Sequence, residues 1–124
     1  MRKLTRAVSA LAVAAAAAAA VTLGSGPAQA ADGSWDGCPS GAVCIYGEGV
    51  HDNLTTPTDV FWSYGAHNLS GQYNWHWVLN NQTGGAHAHL CLGSNGANCT
   101  YDLAAQHGVW ADLTPVNSIT LDRP

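Results

Sequence analysis

The chain has 124 residues, of which only 10% are charged; it carries four Lys and Arg, eight Asp and Glu, six His and four Cys. Three of the four basic residues, Arg2, Lys3 and Arg6, lie at the start, so the rest of the chain sets Arg123 alone against all eight acids. That balance excludes nucleic acid and anionic membrane surfaces, which need Lys and Arg. With no lysine after Lys3, it also excludes Schiff-base chemistry and a phosphate-cradling P-loop.

In chain order, residues 1–30 have the three parts of a secretory signal. The basic start is followed by an apolar, alanine-rich run from Leu11 to Leu23, and Ala28-Gln29-Ala30 offers small residues to a signal peptidase. A membrane-spanning helix would need about 20 strongly apolar residues, and alanine supplies little hydrophobic drive. The expected division is a signal peptide at 1–30 and a secreted, monomeric domain at 31–124, with no membrane contact once mature. The domain is long enough for one modest core.

Beyond the signal there is no helical periodicity. Short β-prone runs alternate with turn clusters, the all-β pattern. The expected strands are Val43–Tyr46, Val60–Tyr64, Trp75–Leu79, His87–Leu92, Val109–Trp110 and Ser118–Leu121. Asn81-Gln82-Thr83-Gly84-Gly85 and Gly93-Ser94-Asn95-Gly96 read as turns between them. Alternation along a strand puts Trp75, Trp77 and Leu79 on one face. In a chain with a single phenylalanine, the five tryptophans are the expected core filling.

Cys38, Cys44, Cys91 and Cys99 form an even set in a short exported chain, which implies two disulfides with three possible pairings. The local pairs Cys38–Cys44 and Cys91–Cys99 are favoured, because Pro39-Ser40-Gly41 and Gly93-Ser94-Asn95-Gly96 are turn-forming. Closing such short loops stabilises by about 2–3 kcal/mol each on the chain-entropy model.

An internal duplication is visible. Val43-Cys44-Ile45-Tyr46-Gly47-Glu48-Gly49 lines up with Leu90-Cys91-Leu92-Gly93-Ser94-Asn95-Gly96. Asn68-Leu69-Ser70 then lines up with Asp112-Leu113-Thr114, and Tyr73-Asn74-Trp75 with Val116-Asn117-Ser118. Three blocks in the same order suggest two supersecondary units burying a shared face. With about four strands in each, two Greek keys packed as a disulfide-stapled β-sandwich are the natural build.

The stretch Cys38-Pro39-Ser40-Gly41-Ala42-Val43-Cys44-Ile45-Tyr46, just after a signal, resembles the opening of Streptomyces-type metalloprotease inhibitors, small secreted proteins with a βγ-crystallin-like fold and two local disulfides. The resemblance is close over about the first fifteen residues of the domain and general across the rest. It implies a secreted inhibitor of an extracellular, thermolysin-like metalloprotease rather than an enzyme. The inhibitory loop would be braced by the second disulfide. Carried over by motif, the contact bond is Cys91–Leu92, with Leu92 entering the primed-side pocket and Cys99 closing the brace. The loop here is longer than in the best-known member and bears glycines.

Other chemistries find less support. There is no Gly-x-Ser-x-Gly nucleophile elbow, and Glu48, the lone glutamate, has no evident carboxylate partner for glycoside hydrolysis. His87, His89 and Cys91 fall on one side of a strand and with Cys99 make a formal zinc set, but an oxidising compartment favours the disulfide. The calcium pattern of βγ-crystallin-like domains is broken at Leu113-Thr114-Pro115-Val116-Asn117-Ser118, where Leu113 and Thr114 replace paired oxygen donors, and Asn68-Leu69-Ser70-Gly71-Gln72-Tyr73 fits no better. No metal or cofactor is expected. Asn53, Asn68, Asn81 and Asn98 fit glycan-acceptor spacing; the alanine-rich signal looks bacterial, and nothing is read into them. Two alternatives stay open: a killer-toxin-like antimicrobial protein, and a carbohydrate- or cell-wall-binding module using exposed tryptophans.

The Ala28-Gln29-Ala30 site and the even cysteine count predict a secreted form that starts at Ala31 and has no free thiol. Intact mass before and after alkylation without reductant checks both; two or more alkylated cysteines would refute the second.

Overall fold

The computed structural model describes residues 33–124, so the expected signal and the terminus at Ala31 lie outside the described residues. Each expected β-prone run contains a strand, although Trp62-Ser63-Tyr64 of the Val60–Tyr64 run lies outside it, and two further strands appear. In chain order they are β1 (Val43–Ile45), β2 (Asp59–Phe61), β3 (Gly65–Asn68), β4 (Trp75–Asn80), β5 (Ala88–Cys91), β6 (Cys99–Leu103), β7 (His107–Asp112) and β8 (Ser118–Leu121). The unforeseen pair, β3 and β6, are edge strands with largely exposed side chains. Gly65-Ala66-His67-Asn68 has no β-branched residue and no apolar alternation, so its pairing with β8, not its own propensity, makes it a strand.

The strands build two antiparallel four-stranded sheets, ordered β2-β1-β4-β7 and β3-β8-β5-β6. Each half of the chain thus gives its first, second and fourth strands to one sheet and its third to the other. The three recurring sequence blocks fall at matching places: in or after β1 and β5, at the ends of β3 and β7, and at the starts of β4 and β8. Even single hydrogen bonds recur, since Leu69 N–H donates to Asn117 O and Leu113 N–H to Asn74 O, each at 2.9 Å.

Between the sheets lies an aliphatic core of Val43, Ile45, Val78, Ala88, Leu90, Leu103, Leu113, Val116, Ile119 and Leu121. The tryptophan expectation is corrected here, for none of the five is buried. Trp75, Trp77 and Leu79 do share a face, but it is the outer face of the first sheet; Val78 points into the core. Adjacent aliphatic strands fill the inter-sheet space, leaving no room for indoles.

Part of that outer face is covered by the N-terminal segment. Trp35 and Cys38 exchange backbone hydrogen bonds at 2.9 and 2.8 Å. The Cys38–Cys44 disulfide fastens this segment to β1. Tyr46, fully buried, donates its hydroxyl to Asp36 O at 2.6 Å. Ala42, Leu79, Leu54, Val60 and the partly buried Trp77 complete this second cluster. Among the described residues, no helix is long and apolar enough to cross a membrane.

The link between the halves, Asn81-Gln82-Thr83-Gly84-Gly85, has the composition of a plain turn, yet its first two residues are buried together with the preceding Asn80. Asn80 Nδ2 donates to Ala86 O at 3.0 Å and Leu103 O at 2.9 Å, while its Oδ1 accepts from Gln82 N and Nε2, both at 3.1 Å. Asn81 Nδ2 donates to Cys38 O at 2.9 Å, and Gln106 Nε2 reaches Asn81 Oδ1 at 3.0 Å and Gln82 O at 2.9 Å. Orphaning a buried polar group costs roughly 1–3 kcal/mol. Asn80→Ala strips several at once and is therefore expected to lower the unfolding free energy by at least about 2 kcal/mol, against about 0.5 kcal/mol or less for Val50→Ala on the surface. Urea denaturation of both variants measures the difference.

Candidate functional site

The second disulfide joins Cys91 at the end of β5 to Cys99 at the start of β6. Between them residues 92–98 make a tight turn. Asn95 and Gly96 adopt left-handed backbone at φ 56° and 78°, the conformation an Asn-Gly pair takes most readily. At Gly93 a Cβ would meet Ala97 Cβ at 2.9 Å, so the two arms of the turn close over a glycine.

Elements outside the turn hold it down. Asn117 N–H donates to Cys91 O at 2.9 Å, and Asn117 Nδ2 to Leu92 O at 2.7 Å. Ser118 Oγ donates to Gly93 O at 2.6 Å and accepts from Gly96 N–H at 2.9 Å. Asn68 accepts from Asn95 N–H at 2.7 Å and donates to Asn95 Oδ1 at 3.0 Å. Leu92 N–H itself donates to Asn98 O at 2.9 Å. Of the two residues of the expected contact bond, Cys91 is 0% exposed and Leu92 is half-buried; Ser94, Asn95, Ala97 and Asn98 form the exposed tip.

Leu92 lines an open cleft of about 350 Å³ at the gap between β6 and β7, together with Leu90, Tyr101, Trp110, Asp112 and Trp75. Above it the outer face of the first sheet carries an aromatic group. The register sets Trp77 opposite Trp110 and Trp75 opposite Asp112, so all four share that face. Trp75 and Trp110 lie nearly parallel with centroids 6.0 Å apart, Trp77 is 5.7 Å from Trp110, and His51 meets Trp110 edge-on at 5.0 Å. Sequence alternation identifies Trp75 and Trp77 as neighbours but cannot say which face the core takes.

On the outer face of the second sheet, His87, Asp102, His89 and Asp122 form a row. His87 Nδ1 lies 2.5 Å from Asp102 Oδ1, and His89 Nδ1 lies 2.5 Å from Asp122 Oδ2. The formal zinc set is divided: both thiols are in the disulfide, and both histidines pair with carboxylates. Among the described residues, no group of three His, Cys, Asp or Glu is arranged to hold a metal ion. At the broken calcium pattern, Leu113 is a buried core residue and Ser118 Oγ is engaged by the turn. Ser63 Oγ comes within 3.4 Å of His67 Nε2, but that nitrogen is 2.7 Å from Ser63 O and must donate there, so it cannot also take the hydroxyl proton. Asn81, one of the four glycan-acceptor matches, is buried with its amide in use.

Two carboxylates are held below their ordinary range. Asp102 is lowered chiefly by the His87 hydrogen bond, then by the charges of His87 and His89, against some desolvation. Asp112 is lowered by the Thr114 backbone N–H and side chain, and more weakly by His76. A depressed folded pKa contributes stability above the unfolded pKa, which is lost as pH falls through the folded value. The melting temperature is expected to fall below about pH 4, where free aspartate takes up its proton, and Asp102→Asn should shallow that fall. Thermal melts from neutral to acid pH check the slope.

No protein-family model, no curated protein and no solved structure matches this chain.

Proposed function

We propose that the chain is a secreted inhibitor of an extracellular protease, with a thermolysin-like metalloprotease as target and the disulfide-closed 92–98 turn as the contact loop. The observation that carries this reading is how firmly the turn is held: Asn68, Asn117 and Ser118 clamp its backbone, and Cys91–Cys99 closes its base. A loop fixed before docking loses little ordering entropy on binding. The same bonds turn a would-be substrate into an inhibitor, because a strand cut within such a clamp stays in place and is resealed or released slowly. The length and glycines of the turn are offset by these anchors.

The strand order supports the finer fold reading, two Greek keys in a βγ-crystallin-like sandwich with the third strand of each exchanged. Leu92 offers an apolar side chain beside the cleft, the residue type a thermolysin-like primed-side pocket takes. Cys91 O is held by Asn117 N–H, so attack at the Cys91–Leu92 bond has to loosen that contact first.

Titration against a panel of secreted metalloproteases is expected to show stoichiometric inhibition. Burying a leucine is worth about 1.5–3 kcal/mol, so Leu92→Gly should weaken inhibition roughly ten- to a hundredfold. The Cys91→Ser, Cys99→Ser double variant should be weaker and cleaved in the turn. A wild-type protein inert towards every protease of the panel refutes the function. Inhibition unaffected by Leu92→Gly refutes the Cys91–Leu92 contact and moves it to the exposed tip.

A further inference from the structure

We infer that the outer face of the first sheet is a second site, one that binds an uncharged polysaccharide by stacking pyranose rings on Trp75 and Trp110. The face is not needed for the core, which is aliphatic and lies on the other side of the sheet. It nevertheless gathers three of the five tryptophans on two neighbouring strands, and Trp75 is 48% exposed. A half-exposed Trp75 stacked at 23° on a partly buried Trp110, with Trp77 behind, offers indole surface to a ligand that is itself ring-shaped.

Two classes of polymer present such rings in series: nucleic acids and glycans. Charge decides between them. The platform is bordered by acids. Glu48 sits beside Trp75, since Gly49 N–H donates to Trp75 O at 2.8 Å; Asp112 faces Trp75 across the strands; and Asp52 adjoins His51, which touches Trp110. The only Lys or Arg among the described residues, Arg123, lies over the Tyr64 ring at 4.6 Å. Phosphate and uronate polymers are repelled by this border. A neutral pyranose chain fits it, because its carbon–hydrogen faces stack on indole while its hydroxyls donate to carboxylates.

The border has acceptors to give. Asp112 Oδ1 accepts from Thr114 N–H at 3.0 Å and Glu48 Oε2 accepts from Asn74 Nδ2 at 2.8 Å, and an ionised carboxylate can accept about four hydrogen bonds. Asn74 Nδ2 is thereby fixed at the rim next to Trp75. The apolar cleft below, lined by Leu90, Leu92 and Val109, is open to a small apolar substituent on the sugar, such as an acetamido methyl. This site does not depend on the inhibitor reading.

Co-sedimentation with insoluble chitin and cellulose, and fluorescence titration with soluble hexasaccharides of each, test the site in the mature protein; the two polymers distinguish an N-acetylated from an unsubstituted chain. Binding to at least one is expected, with a shift in tryptophan emission. Trp75→Ala should weaken it about tenfold or more, and Trp110→Ala similarly. Trp62→Ala, which removes the 58%-exposed tryptophan elsewhere on the surface, should leave it unchanged. Since Trp75 is half exposed, its alanine variant should keep the wild-type melting temperature, which verifies folding. Three results overturn the proposal: no binding to either polymer; equal binding by wild type and Trp75→Ala; or preferential binding to a polyuronate.

Discussion

Three consecutive amides, Asn80-Asn81-Gln82, hold the structure together where its parts meet. They leave the end of β4 and start the link to β5, and each is buried. Their side chains reach the β4–β5 link at Ala86, the end of β6 at Leu103, the N-terminal cover at Cys38 and the β6–β7 turn at Gln106. Hydrophobic burial is non-directional, so the aliphatic core alone would tolerate sliding of one half against the other. Buried amides tolerate none, because each displaced donor or acceptor is left unpaired in a medium without water. The network therefore fixes the halves in register, and the turn and the aromatic face inherit their positions from it.

The recurrence of the three blocks is matched in the sheets but not in the surfaces. The halves match strand for strand and in their reciprocal Leu–Asn backbone bonds. The disulfides are not equivalent, however. Cys44 and Cys91 occupy matching positions, yet Cys44 pairs backwards with Cys38 and Cys91 pairs forwards with Cys99. The first bond fastens a cover over β1; the second closes a turn. One repeat thus yields a sealed surface and a presented loop.

The cysteine pattern and the β-prone runs carried most of the fold. Local pairing follows from turn residues between close cysteines, and every expected run holds a strand, though the Val60–Tyr64 run does so only as far as Phe61. What sequence could not supply was context. Alternation groups Trp75, Trp77 and Leu79 without saying whether they look inward, because both faces of β4 meet something: the core on one side, the cover and solvent on the other. Asn81-Gln82-Thr83-Gly84-Gly85 has the composition of an exposed turn, and only the partners brought from residues 33–42 and 103–106 make its first half buried. For the candidate loop, the sequence showed the disulfide and the glycines. The anchors Asn68 and Ser118, at the ends of distant strands, and Asn117, just before β8, carry no local signal that they hold this turn.

Where the cover stops decides where a ligand can bind. The N-terminal segment packs over Cys44, Tyr46 and Leu79 and ends at Trp77, which touches both the covered cluster and Trp110. Past that boundary β4 and the edge strand β7 bear Trp75 and Trp110, which the segment around Gly49 and His51 borders but leaves half exposed at Trp75. Bare aliphatic side chains there would gain nothing from water and would invite edge-to-edge association. Indoles are the residues that can stand at such a boundary, since they pack against one another yet keep a ring face and an N–H for an incoming polar partner. The uncovered end also adjoins the cleft that Leu92 lines, so the rigid turn and the aromatic platform open on the same side of the sandwich.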